Sequence, residues 1–251
     1  MIKPHLYCNC YENQVNKRTE YLQTNLMLGS IFYDPTLKSS LFQRKFIFDD
    51  TGDNISHLNK WFGQLTGLYW VWKNTSEDII GTNTYRLYWG DYFIKNDFKS
   101  NVLYIPHPLD VNKCFNDGIK ENVNLYYQYS YCHGLKNLDF LYEISNKNKI
   151  PIKTWMIDDL KNQYLLNPFN MFISERKIFN RVCDILFDTI FEYYSSYKNY
   201  FDEISKQTGQ KRILDFLSER ILHMIYHHKE YFLSDIDIET ISVIDLKHDE
   251  Q

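Results

Sequence analysis

Residues 49–56 read DDTGDNIS and form a polar stretch directly after the apolar run FIF. Gly52 permits a tight turn, and Asp53, Asn54 and Ser56 carry side chains that can bind the hydroxyl groups of a ribose or a sugar. A strand that ends in such a turn before a helix is a typical ligand site, because unpaired N–H groups at the helix N-terminus favour phosphate. The same residues can also serve only as the turn and the helix cap, and the local sequence by itself favours that structural interpretation.

A second group of reactive side chains repeats at helical spacing in QKRILDFLSERILH, residues 210–223. Arg212, Asp215, Glu219 and His223 fall on one face of the predicted helix, which therefore carries a cation, two carboxylates and an imidazole. Such a row could supply a general base and an arginine that binds phosphate. It could equally be a solvated face of ion pairs, which is the commoner outcome for this charge pattern.

Histidine and cysteine patterns for a metal site are weak. Cys8 and Cys10 face the same way on a predicted strand that begins at His5, but no second pair of ligands follows at zinc spacing. His223 and His227 lie one helical turn apart and could chelate, yet the HExxH pattern is absent. Both groups are therefore interpreted as structural.

Two acidic stretches resemble the Asp-x-Asp clamp through which Mn²⁺ or Mg²⁺ holds a nucleotide diphosphate. Asp235-Ile236-Asp237 lies in an alternating pattern typical of a strand, so exposed surface acids explain it better. Asp49, Asp50 and Asp53 form a looser group that at least lies in a loop. Neither stretch is a convincing clamp, so the sequence leaves open whether a divalent metal is used.

The composition argues against several classes of protein. The net charge of −4 and a pI near 6.1 argue against binding to a nucleic-acid backbone, which would normally need a basic stripe. The GxGxxG, Walker A and GxSxG motifs are absent, so dehydrogenases, P-loop NTPases and α/β-hydrolases lose their usual support. Five irregularly spaced cysteines and the lack of a signal peptide or long apolar run favour a soluble cytoplasmic protein that could still sit on a membrane surface.

The elements predicted around the first polar stretch are a strand before it and a helix after it. Short β-prone runs at residues 5–11, 44–48, 78–89 and 101–105 are separated by helical patterns, which favours an α/β arrangement. Apolar residues then repeat at helical spacing from Leu58 onward, so we predict one helix capped by Ser56 or Asn59. The repeating residues are Trp61, Leu65, Leu68 and Trp72.

The second half of the chain is predicted to be more helical. Ser174 can cap a helix over residues 178–194, which follows a short strand in LNPFNMFI, and another helix begins after Gly209. The C-terminal residues 234–251 alternate acidic and aliphatic side chains as an exposed strand does. Because no repeat or linker interrupts the sequence, we predict a single domain over residues 1–251.

Several blocks of the sequence, read together, resemble the DUF4422 family. The stretch DDTGDNISHLNKWFGQLTGLYWVWKN followed by DIIGTNTYRLYW is similar to the family's GDNIS turn, LTxLYWxWKN helix and GxxHYRRY strand. PFNMFISERKIF resembles its FNMFIM block, and QKRILDFLSERIL resembles its FLSERL helix. YCHGLKNLDFL, between the first and second blocks, resembles a weaker element with a histidine. The matches keep their order over roughly residues 44–225.

The resemblance implies a glycosyltransferase. The family occurs in capsular polysaccharide, O-antigen and exopolysaccharide loci, and it implies a GT-A type fold, a Rossmann-like α/β sandwich that binds a nucleotide-sugar. The expected hexosyltransferase passes a sugar to a hydroxyl of a bacterial glycan or lipid-linked glycan. Some relatives are associated with galactofuranose transfer, which suggests UDP-galactofuranose or UDP-galactose as the donor. The chain departs from the family at Thr84, Leu87 and Gly63-Gln64, and these departures leave metal use and donor choice open.

On this resemblance we assign hypothetical roles to individual residues. Glu219 is the candidate base of a transfer that we expect to be inverting. Asp53 and Asn54 are assigned to the nucleotide or the donor sugar. The residues assigned to the diphosphate are Arg86 and Arg212, with Arg220 as an alternate contact. The residues assigned to orienting the substrates are Tyr85, His133 and Asn170.

Two interpretations from other classes remain open. A non-catalytic carbohydrate-binding protein would fit the many aromatic residues and the altered Tyr85-Arg86 motif, and it would bind glycan without transferring sugar. A scaffold subunit of a polysaccharide-synthesis complex would need neither a donor nor an acceptor pocket. Analogy at the level of the fold excludes neither of them.

Overall fold

A computed structural model of the chain describes residues 3–11, 22–85, 87–89, 92–114, 123–134, 136–205 and 211–245. Contacts divide the chain into two compact units. Unit 1 comprises residues 1–107, 169–183 and 235–251, and unit 2 comprises residues 108–168 and 184–234. The single domain over residues 1–251 stays a prediction.

Strands are concentrated in unit 1. Within the described residues they are β1 (His5–Cys10), β2 (Leu22–Met27), β3 (Ile47–Phe48), β4 (Ile79–Thr84), β5 (Leu87–Tyr88), β6 (Val102–Pro106), β7 (Leu109–Asp110), β8 (Leu165–Leu166), β9 (Ile173–Glu175), β10 (Asp237–Ile241) and β11 (Ile244–Asp245). Only the pair β7 and β8 belongs to unit 2 among these strands. The sequence missed β2, because LQTNLM has three polar residues in a row, Gln23, Thr24 and Asn25, and contains no β-branched run.

Seven strands of unit 1 form one sheet in the order β3-β2-β1-β4-β9-β6-β10. All neighbours pair in parallel except β9, which runs antiparallel to β4 and β6. The carboxyl ends of the parallel strands therefore lie at one edge of the sheet, which we call the carboxyl edge. The predicted α/β class with a mostly parallel, Rossmann-like sheet is confirmed.

Within the described residues, both units also contain helices. They are α1 (Pro35–Gln43), α2 (Asn59–Phe62), α3 (Leu65–Asn74), α4 (Tyr92–Lys95), α5 (Val111–Cys114), α6 (Leu125–His133), α7 (Lys136–Asn146), α8 (Thr154–Asp159), α9 (Arg176–Ser196), α10 (Lys198–Ser205), α11 (Ile213–His227) and α12 (Lys229–Phe232). Short 3-10 helices cover Ser30–Phe32, Ser56–Leu58 and Leu160–Asn162. Through the described parts of the chain, no helix combines the length and the apolar character that a membrane crossing requires.

The helix predicted from Leu58 onward is two helices, because Gly63 adopts φ 50° between α2 and α3. This left-handed conformation interrupts the α-helix and suits glycine, which has no Cβ. Neither predicted cap is formed, since Ser56 is itself buried at the start of a 3-10 helix and α2 has no side-chain cap. The predicted packing residues Trp61, Leu65 and Leu68 are buried as expected.

The prediction that Ser174 caps a helix is wrong, because this residue is buried in β9 and α9 begins at Arg176. The helix itself is confirmed with slightly longer bounds. The predicted C-terminal strand is also confirmed as β10, which pairs with β6 at the border of the sheet.

Candidate active site

The carboxylate of Asp49 holds together two loops and the start of a helix at the carboxyl edge of unit 1. Asp49 is completely buried just after β3. Its Oδ1 accepts hydrogen bonds from the Ser30 backbone N–H at 3.0 Å and from the hydroxyls of Ser30 and Ser56 at 2.9 and 2.6 Å. Its Oδ2 accepts from the Gly29 N–H at 2.9 Å and the Thr66 hydroxyl at 2.7 Å. The loops after β2 and β3 and the start of α3 are thereby fixed.

These bonds argue against the loose metal clamp of Asp49, Asp50 and Asp53. A carboxylate offers about four lone-pair sites, and the donors around Asp49 already use them. Asp50 forms an ion pair with Lys38, and its backbone N–H donates to the Ser30 hydroxyl oxygen at 3.2 Å. The group therefore does not fit a divalent metal, and metal use by the protein stays a prediction without assigned ligands.

The turn that carries Asp53 is clamped by the side-chain amide of Asn74. Asn74 Oδ1 accepts from the Asp53 N–H at 3.0 Å, and Asn74 Nδ2 donates to the Asp53 carbonyl at 2.7 Å and to the Trp70 carbonyl at 2.9 Å. The exposed Asp53 carboxylate accepts from the Tyr69 hydroxyl at 3.1 Å. Burial and this bond raise the pKa of Tyr69. Sequence reasoning missed Asn74, although it closes the LTGLYWVWKN block.

The side chain of Asn54 is used inside the turn. Its Nδ2 donates to the Gly52 carbonyl at 3.0 Å, and its Oδ1 accepts from the Ser56 N–H at 3.3 Å. Gly52 has φ 58°, and a Cβ placed there would lie 2.0 Å from Asn74 Oδ1. Asn54 thus shapes the turn, and its assignment to the donor stays a prediction.

Replacing Asn74 by alanine should loosen this turn. The substitution removes three hydrogen bonds, two of them to the backbone of Asp53, so we expect a loss of about 1–2 kcal/mol in the free energy of unfolding. Thermal denaturation and nucleotide titration measure the effect, and we expect weaker nucleotide binding as well. Asn146→Ala is the matched control, because Asn146 is likewise the last residue of a helix and is exposed. Equal behaviour of the two variants would contradict the role of Asn74.

Two predicted substrate residues lie where the strand order changes direction. β1 has β2 on one side and β4 on the other, and ligands of open α/β sheets bind at such a switch point. Tyr85 follows β4, donates its N–H to the Asn9 carbonyl at 3.0 Å and packs edge-on against Tyr11. Asn170 is buried before the antiparallel β9, and its carbonyl accepts from the Thr82 hydroxyl at 3.1 Å. Arg86 lies outside the described residues.

A cavity of about 460 Å³ opens at the carboxyl ends of β6 and β10. Trp89, Tyr92, His107 and Ser242 contribute to its wall. Trp89 donates its indole N–H to the Thr82 carbonyl at 3.0 Å, which fixes the ring. The volume suits a small ligand. Sequence reasoning missed His107 here, because the cavity depends on the pairing of β6 with the distant β10.

Helix α11 of unit 2 is buried on nearly all sides, so the solvated-face interpretation is wrong. Asp215, Arg220 and His223 are 5%, 1% and 3% exposed. The side chain of Glu219 is 20% exposed and that of Arg212 is 40% exposed. Charged groups are rarely buried without a structural or functional reason, so this helix is the strongest candidate of unit 2.

Aromatic rings connect several of the predicted residues of unit 2. The rings of His133 and Phe216 stack with centroids 4.2 Å apart, and the Arg212 guanidinium lies 5.7 Å from the Phe216 ring. On the other side, Tyr129 lies 5.0 Å from the His133 ring and 5.4 Å from the Arg220 guanidinium. Burial, reinforced by Arg220, lowers the pKa of His133 to about 4. His133 is therefore neutral at pH 7 and can orient a substrate only through hydrogen bonds.

The buried guanidinium of Arg220 is incompletely satisfied. It donates to the Gln128 side-chain carbonyl, and its Nη1 lies 3.7 Å from a Glu219 carboxylate oxygen. Its Nε is buried and makes no hydrogen bond, and the same holds for the Tyr129 hydroxyl. Burial lowers the pKa of Arg220, but arginine remains charged at neutral pH. Since an unpaired buried donor is costly, this group is suited to an incoming anion.

His223, the last residue of the predicted row, belongs to a different set of contacts. Its Nδ1 lies 3.3 Å from the Asn167 N–H, and its Nε2 bonds to the Gln163 side chain. Burial, with smaller contributions from His227 and Arg220, lowers its pKa to about 3. His223 therefore stays neutral. The structure thus brings together Arg212, His133, Glu219 and Arg220 but not His223.

Comparison with known proteins identifies a similar fold and a family. A solved structure described as WbbM bifunctional glycosyltransferase in its apo form has a TM-score of 0.71 and 17% sequence identity, with 98% of this chain and 45% of that chain covered. The chain thus spans less than half of that protein, and the likeness concerns the fold. No curated protein matches the sequence. The profile of DUF4422, a domain of unknown function, matches residues 14–230, and the chain therefore belongs to the DUF4422 family.

Proposed function

We propose that the protein is a glycosyltransferase that moves a sugar from a nucleotide-sugar to a hydroxyl of a growing bacterial surface polysaccharide. The observation that carries the proposal is the carboxyl edge of unit 1, where Asp49 and Asn74 hold a polar turn after β3 at the same edge of the sheet as the switch point beside β1. The similar fold of a bifunctional glycosyltransferase supports it. The donor is proposed to be a UDP-sugar, with UDP-galactofuranose or UDP-galactose as the first to test.

The residues assigned from the family resemblance keep their proposed roles. In unit 1, Asp53 binds the nucleotide or the donor sugar, Tyr85 and Asn170 orient it, and Arg86 contacts the diphosphate. In unit 2, Arg212 and Arg220 are proposed phosphate contacts, and the orphan Nε of Arg220 supports the second assignment. A phosphate at either arginine would receive charge-assisted hydrogen bonds.

The proposed reaction is a displacement at the anomeric carbon. The acceptor oxygen forms a bond to this carbon as the bond to the diphosphate oxygen breaks, and the diphosphate leaves with both electrons of that bond. Glu219 takes the hydroxyl proton, while arginine stabilises the departing negative charge. A single base acting on the acceptor suits inversion of the anomeric centre. The neutral His133 would orient a hydroxyl through a hydrogen bond.

A second candidate function is carbohydrate binding without catalysis. The cavity near Trp89 and Tyr92 combines aromatic surface with polar groups such as His107 and Ser242, a combination that suits a sugar. The loss of the family's histidine and second arginine at Thr84 and Leu87 also favours it. Such a protein would bind glycan and leave every nucleotide-sugar intact, whereas a transferase would consume the donor.

A thermal-shift panel of UDP-, GDP- and CMP-sugars, with and without EDTA, tests the proposal. A donor present at about 100 times its dissociation constant stabilises the folded state by about 2.7 kcal/mol, so we expect the melting temperature to rise by several degrees. The shift should occur with UDP-sugars and not with an equal concentration of sulfate. If no nucleotide-sugar shifts the melting temperature, the transferase proposal is wrong.

A further inference from the structure

Two adjacent histidines at the end of α11 lie beside a carboxylate from the end of α8. The Nε2 atoms of His227 and His228 are each 3.5 Å from Oδ2 of Asp159. The three potential ligand atoms all lie within 4.8 Å of one another. All three residues belong to unit 2, and none of them has a role in the proposed transfer.

The distances fit a shared metal ion better than direct hydrogen bonds. A charge-assisted hydrogen bond between an imidazolium and a carboxylate would be about 2.7–2.9 Å long. Ligand atoms at tetrahedral positions about 2.0–2.2 Å from a zinc ion are separated by roughly 3.4 Å. The two contacts of Asp159 already have this spacing, so only the histidine rings need a small adjustment.

The surroundings of His228 also suit an inward-facing ligand. Its Nε2 is buried and makes no hydrogen bond, and its side chain is 13% exposed. The ring of Trp155 stands edge-on against it, with centroids 4.7 Å apart, and restricts its orientation. His227 has a side chain that is 48% exposed, which leaves a path for an ion from solvent.

A chain of hydrogen bonds orients the carboxylate of Asp159. The side-chain amide of Gln163 bonds to Asp159 Oδ2, and its oxygen faces Nε2 of His223. Because an ionised carboxylate can only accept, Gln163 presents its NH₂ group to Asp159 and its oxygen to His223. On the other side of the ring, Nδ1 of His223 lies 3.3 Å from the Asn167 N–H and 3.1 Å from Asn167 Oδ1. Such outer contacts of a ligand are typical of metal sites.

We propose that Asp159, His227 and His228 bind one zinc-class divalent ion, with water at the fourth position. Two imidazoles and one carboxylate are a ligand set that zinc accepts, and three protein ligands leave one position open. The ion would connect the end of α8 to the end of α11 and so stabilise this part of unit 2. The inference is independent of the proposed transfer.

Zinc titration of untagged protein, freed of metal with a chelator, tests this site. A chromophoric competitor should report one zinc equivalent per chain for the wild type, and zinc should raise the melting temperature. We expect His227→Ala and Asp159→Asn to lower the zinc affinity at least tenfold and to abolish the rise. His57→Ala is the matched control, because His57 is an exposed histidine of unit 1 and should leave zinc binding unchanged.

A substitution of Gln163, which orients the Asp159 carboxylate, tests the same site through the zinc affinity alone. Gln163→Met should weaken zinc binding about 10–100-fold without changing the stoichiometry, as expected for an outer contact. Circular dichroism checks the fold of each variant. Neither His227→Ala nor Asp159→Asn should unfold the chain, because His227 is half-exposed and asparagine has the same shape as aspartate. Absence of saturable binding, or wild-type affinity in both His227→Ala and Asp159→Asn, would overturn the proposal.

The same variants distinguish an effect of EDTA at this site from an effect on any metal that is used with the donor. If EDTA lowers the melting temperature of the wild type but not of His227→Ala, the effect arises at this site. If donor binding remains sensitive to EDTA in His227→Ala, a second metal acts there. Failure of the zinc site therefore leaves the transferase proposal untouched, and the reverse also holds.

Discussion

Replacing Asp49 by asparagine should lower the free energy of unfolding by about 3 kcal/mol, although the two side chains have the same shape. Asparagine has one acceptor oxygen, whereas both carboxylate oxygens of Asp49 accept hydrogen bonds. The hydroxyls of Ser30, Ser56 and Thr66 can rotate, but the backbone N–H groups of Gly29 and Ser30 cannot. At least one of these buried donors loses its acceptor, which costs about 1–3 kcal/mol, and the remaining bonds lose their charge assistance.

Thermal unfolding followed by circular dichroism measures this effect. A loss of about 3 kcal/mol corresponds to a fall of about 6–12 °C in the melting temperature for a chain of this size. Asp50→Asn is the matched control, since Asp50 is the next residue and its part-buried carboxylate pairs with Lys38, so we expect a smaller loss than for Asp49→Asn. If Asp49→Asn is as stable as Asp50→Asn, the carboxylate does not hold the loops as described.

The role of Asp49 could not be predicted from the sequence, because most of its donors are distant along the chain. Within DDTGDNIS it looks like one acid among three. Its donors come from Gly29 and Ser30 on one side and from Ser56 and Thr66 on the other. The parallel pairing of β2 with β3 brings Gly29 and Ser30 beside Asp49. A local pattern therefore predicted a turn but not the residue that holds it.

The sequence predicted those helices and strands whose own residues carry a clear periodic or β-prone pattern. β1, β4 and β6 are short β-prone runs, and the apolar stripes of α9 and α11 have helical spacing. The position of β9 between β4 and β6 depends on contacts between segments far apart in sequence. Periodicity gives the faces of an element but not its neighbours, so it could not place β9.

In the candidate site of unit 2, too, the sequence predicted the helix but not the contacts that the helix makes. Helical spacing correctly put Asp215 and Glu219 on one helix, with Arg212 just before its first residue, but it suggested an exposed face. The structure buries that helix and adds His133 from α6 through stacking on Phe216. It also separates His223, which contacts Gln163 and Asn167 instead. Side chains that belong to different elements can be assigned to one cluster only after the packing is known.

Substituting Glu219 by glutamine should reduce sugar transfer by about 10²–10⁴-fold, because the amide cannot accept the proton of the acceptor hydroxyl. The fold should persist, since the side chain is 20% exposed and its contact with Arg220 is a loose 3.7 Å. The expected signature is a fall in kcat with a normal thermal shift by the donor. Loss of both properties would instead indicate damage to the surrounding cluster.

The control for this substitution is Glu230→Gln, a neighbouring glutamate on α12 whose side chain is 78% exposed. It removes the same charge from unit 2 and should keep wild-type activity. Transfer by Glu219→Gln within a few fold of wild type would remove Glu219 from the mechanism. The effect of Glu219→Gln can be measured only if the wild-type protein transfers sugar. A wild-type protein that binds glycan but transfers no sugar from any nucleotide-sugar would favour the non-catalytic function.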